Sequence, residues 1–165
     1  MILRSFSSEM IKPDYMGGSI VNLMASISRA FGAPTQYETL RLLPPTELTE
    51  ARNVLLLVID GLGSNYLDGC EGSFLRHHQR GRITTVFTST TASAISTFLS
   101  GLAPQQHGIV GWFTYLRELG SLATILPFKP RHGGPTYARM GIDPRSCFPG
   151  SRSLISSMRE VTAPP

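Results

Sequence analysis

Val54-Leu55-Leu56-Leu57-Val58-Ile59-Asp60-Gly61-Leu62-Gly63 is the stretch on which the reading of this sequence turns. Six apolar residues follow one another without alternation. An alternating run would bury one face of a strand. An unbroken run of strand length buries both, the pattern of a central strand in a parallel sheet with helices on either face. Asp60 and the two glycines end the run abruptly. The expected fold is therefore α/β, a largely parallel sheet flanked by helices.

Working outward, residues 64–80 read as a helix or helix pair interrupted by Gly69 and Gly72. Residues 82–87 (RITTVF) read as a second strand. Thr91 to Ser100 follows as a helix, with Ala94, Ile95, Phe98 and Leu99 on its inner side and Gly101 ending it. Upstream, Ser19 is placed to cap a helix running to about Phe31. Its apolar residues Ile20, Leu23, Met24, Ile27 and Phe31 recur at spacings of three and four, one helical face. Gly32 stops it. Pro34, Pro44 and Pro45 mark a connecting loop, with one short turn near residues 47–52. After Pro104 short strands are expected within 109–116 and 122–126. Beyond Pro127 the chain is rich in Gly, Pro and Arg, and it ends in Thr162-Ala163-Pro164-Pro165 without a closing element.

The 165 residues suffice for one domain with a real core. At 16% the charged fraction is low for a free-standing domain, which fits part of a larger buried α/β core. The net charge of +4 suits an anionic substrate. The cations Arg29, Arg41, Arg52, Arg76, Arg80, Arg82, Arg117, Lys129 and Arg131 are scattered, with no basic block interleaved with aromatics, which argues against nucleic acid as the partner. Cys70 and Cys147 belong to no CxxC pattern, so neither a zinc ribbon nor a redox motif is present, and free thiols in a reducing compartment are the simpler expectation. No stretch approaches a membrane helix and the N-terminus lacks the apolar core of a signal peptide, so a cytoplasmic protein is expected.

A carboxylate directly after a buried strand sits at the carboxyl edge of the sheet, where open α/β sheets bind ligands. Gly61 and Gly63 let the backbone turn sharply beside it. Asp60 is a hard oxygen donor suited to a divalent cation. Alone, it reads equally well as a cap of the following turn. Gly61-Leu62-Gly63 also invites a dinucleotide reading, but Tyr66 stands where the third glycine of that fingerprint belongs, and Asp60 would repel a pyrophosphate. In Thr88-Ser89-Thr90-Thr91-Ala92-Ser93, hydroxyls gather at a helix N-terminus, a ready anion site. Thr91 alone would pass for an ordinary cap residue. Paired with Asp60 at the same sheet edge, it becomes a candidate nucleophile whose hydroxyl a shared metal would activate.

Three markers then stand in order: Val58-Ile59-Asp60-Gly61, Thr88-Ser89-Thr90-Thr91-Ala92, and Ser100-Gly101-Leu102-Ala103-Pro104 with His107-Gly108-Ile109. Together they resemble the type I phosphodiesterase/nucleotide pyrophosphatase family of the alkaline phosphatase superfamily, in order and spacing over roughly residues 50–115. The resemblance implies an alkaline-phosphatase-like fold, with residues 1–165 as the N-terminal part of one such domain. It implies a hydrolase of phosphodiester or pyrophosphate bonds acting on a phosphodiester or nucleotide-like small molecule. Counted back from Gly101, the family nucleophile falls on Thr91, with Thr90 as the neighbouring register. The first metal-ligating aspartate falls on Asp60, and Thr91 would share its metal. The complete domain would hold two zinc ions.

The sequence departs from that pattern in two respects. Many nucleotide pyrophosphatases carry an asparagine a few residues after the nucleophile, where Ala94 stands here. The family's later ligands include an Asp-His pair, and this chain has no Asp-His dipeptide. His77-His78 is expected to diverge on a surface helix. His107 matches a position read as structural. His132 lies in a loop without a carboxylate at ligand spacing, and Asp143 stands apart in sequence. The expectation is a chain carrying the first half of a two-metal site. The alternative is a non-catalytic binding module of the same fold.

Overall fold

The structure, a computed structural model, describes residues 11–143 and Cys147. Thr162 to Pro165, read above as an open end, lies outside the described residues. In chain order the main elements are α1 (Ile20–Ala30), α2 (Ser64–Asp68), α3 (Phe74–His77), α4 (Thr91–Ser100) and α5 (Pro104–His107). The strands β1 (Phe113–Leu116), β2 (Ser121–Thr124) and β3 (Lys129–Pro130) follow. Short 3-10 turns occupy Pro45–Glu47, Arg117–Leu119 and Tyr137–Met140. The boundaries of α1, α2, α3 and α4 agree with the glycine and cap signals, because those signals are local. Ser19 N–H and Oγ both donate to Asn22 Oδ1, at 3.0 and 2.6 Å, and close the first turn of α1. Gly101 ends α4 at φ +69°, a left-handed conformation that favours glycine.

The sheet differs from the expectation. Among the described residues it has three strands in the order β1-β2-β3, all antiparallel, with Phe113 opposite Thr124 and Leu116 opposite Ser121. No parallel sheet forms. The 82–87 segment contributes a single parallel bridge, Thr84 to Ser19. The 54–59 run is not a strand: it has no ladder partner among the described residues. Leu55 is 92% exposed and Leu57 74% exposed. The reason is that strand structure is not local. A strand exists only where neighbours accept its N–H groups and donate to its carbonyls, and apolar patterning cannot supply those neighbours.

Both long helices are also rotated from the expected faces. α1 buries Ile20, Val21 and Ala25 with the polar Asn22 and Ser26, while Leu23, Met24 and Ile27 are half-buried and Phe31 is exposed. Hydrogen bonding decides this. Asn22 Nδ2 donates to the carbonyls of Tyr15 and Glu38 at 2.9 and 2.8 Å, and Ser26 Oγ accepts the Leu40 N–H at 2.8 Å. α4 likewise buries Ala92, Ser93, Ser96 and Thr97, leaving Ala94, Ile95, Phe98 and Leu99 half-buried. α1 and α4 pack together, Ile20 and Val21 of α1 lying against Ala94 and Phe98 of α4.

α4 stands between two apolar clusters. On one side lie Ile109, Leu116, Ala123, Ile125, Phe128 and Tyr137, the Phe128 and Tyr137 rings meeting edge to face at 5.1 Å. On the other lie Ile20, Val21, Val86 and Ala103, with Ala94 and Phe98 against them. The N-terminal segment is tied down by Asp14, whose carbonyl accepts the Gly18 N–H at 3.0 Å and whose N–H donates to Thr84 Oγ1 at 2.8 Å. Its carboxylate pairs with Arg41, which holds it below the usual carboxylate range. The pair lies directly over Gly17-Gly18. A Cβ on Gly18 would run into the Asp14 carboxylate, so a larger residue there would push Asp14 out of its pairing with Arg41.

His107 closes the α4–α5 corner. It is 2% exposed; its Nδ1 accepts the Ile109 N–H at 3.0 Å, and its Nε2 lies 3.3 Å from Thr97 Oγ1. An Nδ1 that accepts carries no proton, so the ring is the neutral tautomer with Nε2–H donating to threonine. Burial pushes its pKa down to about 4, from an ordinary value near 6.5. The unfolded chain therefore binds a proton between these values that the folded chain refuses. Stability is full above pH 6.5 and falls as the pH drops toward 4, by at most about 3 kcal/mol. Thermal melts between pH 7.5 and 4 should show that fall, and a His107→Gln variant should lose most of its slope.

The exposed run yields a second expectation. Leu55→Lys and Leu57→Lys should each change stability by no more than about 0.5 kcal/mol, the surface value. A loss of several kcal/mol in urea titration would mean that the run is a buried strand after all.

Candidate functional site

Asp60 follows the extended run, and Gly61 turns the chain at φ +76°, a conformation open to glycine without strain. Thirty-one residues on, α4 begins. Thr90 Oγ1 accepts the Ser93 N–H at 3.4 Å and so caps the helix. Thr91 is then the first helical residue, and its Oγ1 donates to Asp60 Oδ2 at 3.3 Å. The two expected site residues, far apart in sequence, are neighbours in the fold. The neighbouring-register residue, Thr90, is occupied as the cap and is hydrogen-bonded to Ser93 Oγ at 3.0 Å.

The pair lies in a cleft of about 490 Å³. Ile59, Gly61, Thr85, Ser89 and Phe98 line it with Asp60 and Thr91. Ala94 lines it too, so the position where an asparagine was missing faces the same cleft as Asp60 and Thr91. Opening onto the same cleft, the first turn of α4 contributes backbone N–H groups that have no acceptor within the helix, a favourable setting for an oxyanion.

Asp60 and Thr91 are both oxygen donors on a solvent-accessible wall, which suits a hard divalent cation. Their 3.3 Å separation agrees with two corners of a zinc tetrahedron, whose edges are about 3.3–3.6 Å for bonds of about 2.0–2.2 Å. The donor set stops at these two. Among the described residues no group of three or more His, Cys, Asp or Glu side chains stands together.

The histidines fall as follows. His77 and His78 do not diverge as expected: their rings meet edge to face at 5.0 Å, because His78 folds back to stack on Phe74 at 4.1 Å, with Nδ1 2.9 Å from the Phe74 carbonyl. They are remote in sequence and contact from the cleft, and no carboxylate joins them. His107 is the buried corner residue, and His132 lies on an exposed turn.

Sequence reasoning missed Thr85, Ser89 and the α1 residue Ile20 as walls of the cleft. It also missed a second cleft of about 540 Å³ that shares Thr85 and Ser89 with the first. Arg41, Arg82, Ser64 and Asn65 line it. Arg82 opens the segment expected to be a strand, which would have placed it at the opposite sheet edge from Asp60. Only the polar Ser64-Asn65 directly after Gly63 hinted at a second polar wall.

Comparison with known proteins agrees with the motifs. Residues 54–127 match the family model for type I phosphodiesterase / nucleotide pyrophosphatase. No curated protein and no solved structure matches the chain. The matched segment holds Asp60, Thr91 and the Gly101–Ile109 marker. The stretch that carries the candidate site is thus similar in sequence to type I phosphodiesterases/nucleotide pyrophosphatases.

Proposed function

We propose that this chain carries the first half of a metal-dependent phosphodiester or pyrophosphate hydrolase site, with Thr91 as nucleophile and Asp60 as metal ligand. One observation carries the reading: the hydrogen bond from Thr91 Oγ1 to Asp60 Oδ2 at a helix start, inside a cleft, in the segment that matches the family. Asp60 accepts the Thr91 hydrogen and so aims the oxygen lone pairs into the cleft. A divalent cation held by Asp60 and Thr91 would lower the hydroxyl's pKa and offset phosphoryl charge. Thr91 Oγ loses its proton to solvent and bonds to phosphorus as the ester oxygen departs with its electron pair and takes up a proton from solvent. Water then cleaves the phosphothreonine and restores the hydroxyl. The N–H groups opening α4 support the phosphoryl oxygens. Ala94 offers no hydrogen bond to a phosphate oxygen, which argues for a substrate other than the nucleotides that an asparagine there would serve. In this reading residues 1–165 are the N-terminal part of one alkaline-phosphatase-like domain, and further ligands come from a part of that domain not among the described residues.

A second reading is a binding module that retains the site's shape without turnover. The absence, among the described residues, of a third metal-ligating side chain beside Asp60 favours it.

The two part on measurement. The purified chain with added zinc should hydrolyse a p-nitrophenyl phosphodiester slowly. Thr91→Ala should reduce the zinc-dependent rate by at least about a hundredfold, and Asp60→Ala should weaken both zinc binding and rate. Mass spectrometry of acid-quenched reactions should find the phosphoryl group, with the ester arm that did not depart, on the peptide containing Thr91. A rate indifferent to Thr91→Ala would refute the nucleophile. No zinc binding by calorimetry would favour the binding module.

A further inference from the structure

The second cleft adjoins the reacting groups through the shared walls Thr85 and Ser89. Its two arginines are not equivalent. Arg41 is committed: it pairs with Asp14 and donates through Nη1 to the Met16 carbonyl at 2.7 Å, so the pair contributes no net charge. Arg82 pairs with Asp68, but Asp68 also faces Arg76 at 3.7 Å. Asp68 is thus shared between two guanidiniums, so the three side chains together carry one net positive charge, and Arg82 engages the carboxylate through Nη2 alone. Arg82 is half-exposed, so its planar set of donors remains open to an incoming anion. Ser64 and Asn65 add polar groups on the same wall, and Phe87 adds an apolar face.

We infer that Arg82 is a specificity-determining residue: it receives a second oxyanion, a phosphate or carboxylate, carried by the substrate beyond the phosphorus that Thr91 attacks. The inference rests on the proposed reacting centre for its orientation, since that centre defines which cleft is first and which is second. It places recognition of the departing half within residues 64–89, not in later segments. Substrates with a lone phosphodiester would leave the remaining Arg82 donors unanswered. Substrates with a neighbouring anion would fill both clefts at once.

Asp68 makes the inference testable in both directions. Arg82→Gln removes the cleft-lining guanidinium, whereas Asp68→Asn frees both guanidiniums. Both side chains are exposed enough that either variant should fold, which thermal melts would verify. Binding is measured on the intact chain in metal-free buffer by NMR titration with pyrophosphate, phosphonoacetate and inorganic phosphate. Pyrophosphate or phosphonoacetate should shift the Asn65, Arg82 and Thr85 amides. Arg82→Gln should weaken that binding about tenfold and Asp68→Asn should tighten it several-fold, because a single charge-assisted contact is at stake. The opposite signs set a ligand contact apart from a structural role. An effect confined to pyrophosphate identifies a phosphate as the second anion, and one confined to phosphonoacetate identifies a carboxylate. Binding unchanged in Arg82→Gln, or weakened alike in both variants, overturns the inference. The measurement needs neither metal nor turnover, so an inactive chain would count against the proposed hydrolysis and leave this result standing.

Discussion

Thr90 Oγ1 accepts the Ser93 N–H and thereby fixes the residue at which α4 starts. That single register governs the rest. Starting one residue later or earlier would turn the helix by about 100° and carry Thr91 away from Asp60. The same register buries Ser93, Ser96 and Thr97 and sets Thr97 at the α4–α5 corner. At the far end Thr97 meets His107, whose neutral ring ties the helix to the backbone at Ile109. The Thr91 end of α4 is therefore set largely by small and hydroxyl-bearing residues, while its larger apolar residues stay half-covered.

That inversion explains a shared property of the molecule's apolar surfaces. Leu23, Met24 and Ile27 on α1, and Ile95, Phe98 and Leu99 on α4, are only half-covered. The Val54–Ile59 run is mostly exposed. These are the surfaces that a helix-covered sheet would bury. Among the described residues they remain without the strands that would face them, while Asn22, Ser26, Ser93 and Thr97 on the small polar faces find hydrogen-bonding partners.

The sequence was legible wherever the signal was local. Gly32, Gly101 and the Ser19 and Thr90 caps marked helix limits because caps act within four residues. The Asp60–Thr91 pairing was legible because the motifs stand in a recognisable order. Strand pairing was not legible, since RITTVF and the 54–59 run carry strand composition but depend on partners that patterning cannot specify. Helix orientation failed for a related reason. The hydropathy of Leu23 or Ile95 said nothing of the bonds that Asn22 and Ser26 make to residues 38–40. Arg82 was hidden because its meaning comes from sharing Asp68 with Arg76, a relation across fourteen residues and a turn.

Asp60 has one more consequence. Together with Arg52 it brackets an apolar segment that contains no proline, glycine or charge and whose main-chain edges are open. Such a segment is a template for pairing between molecules, and charges at its borders are what keep it dispersed. The carboxylate is thus also a gatekeeper of colloidal behaviour. Neutralising it to probe chemistry would at the same moment lower solubility, so concentration dependence has to be separated from any change in rate.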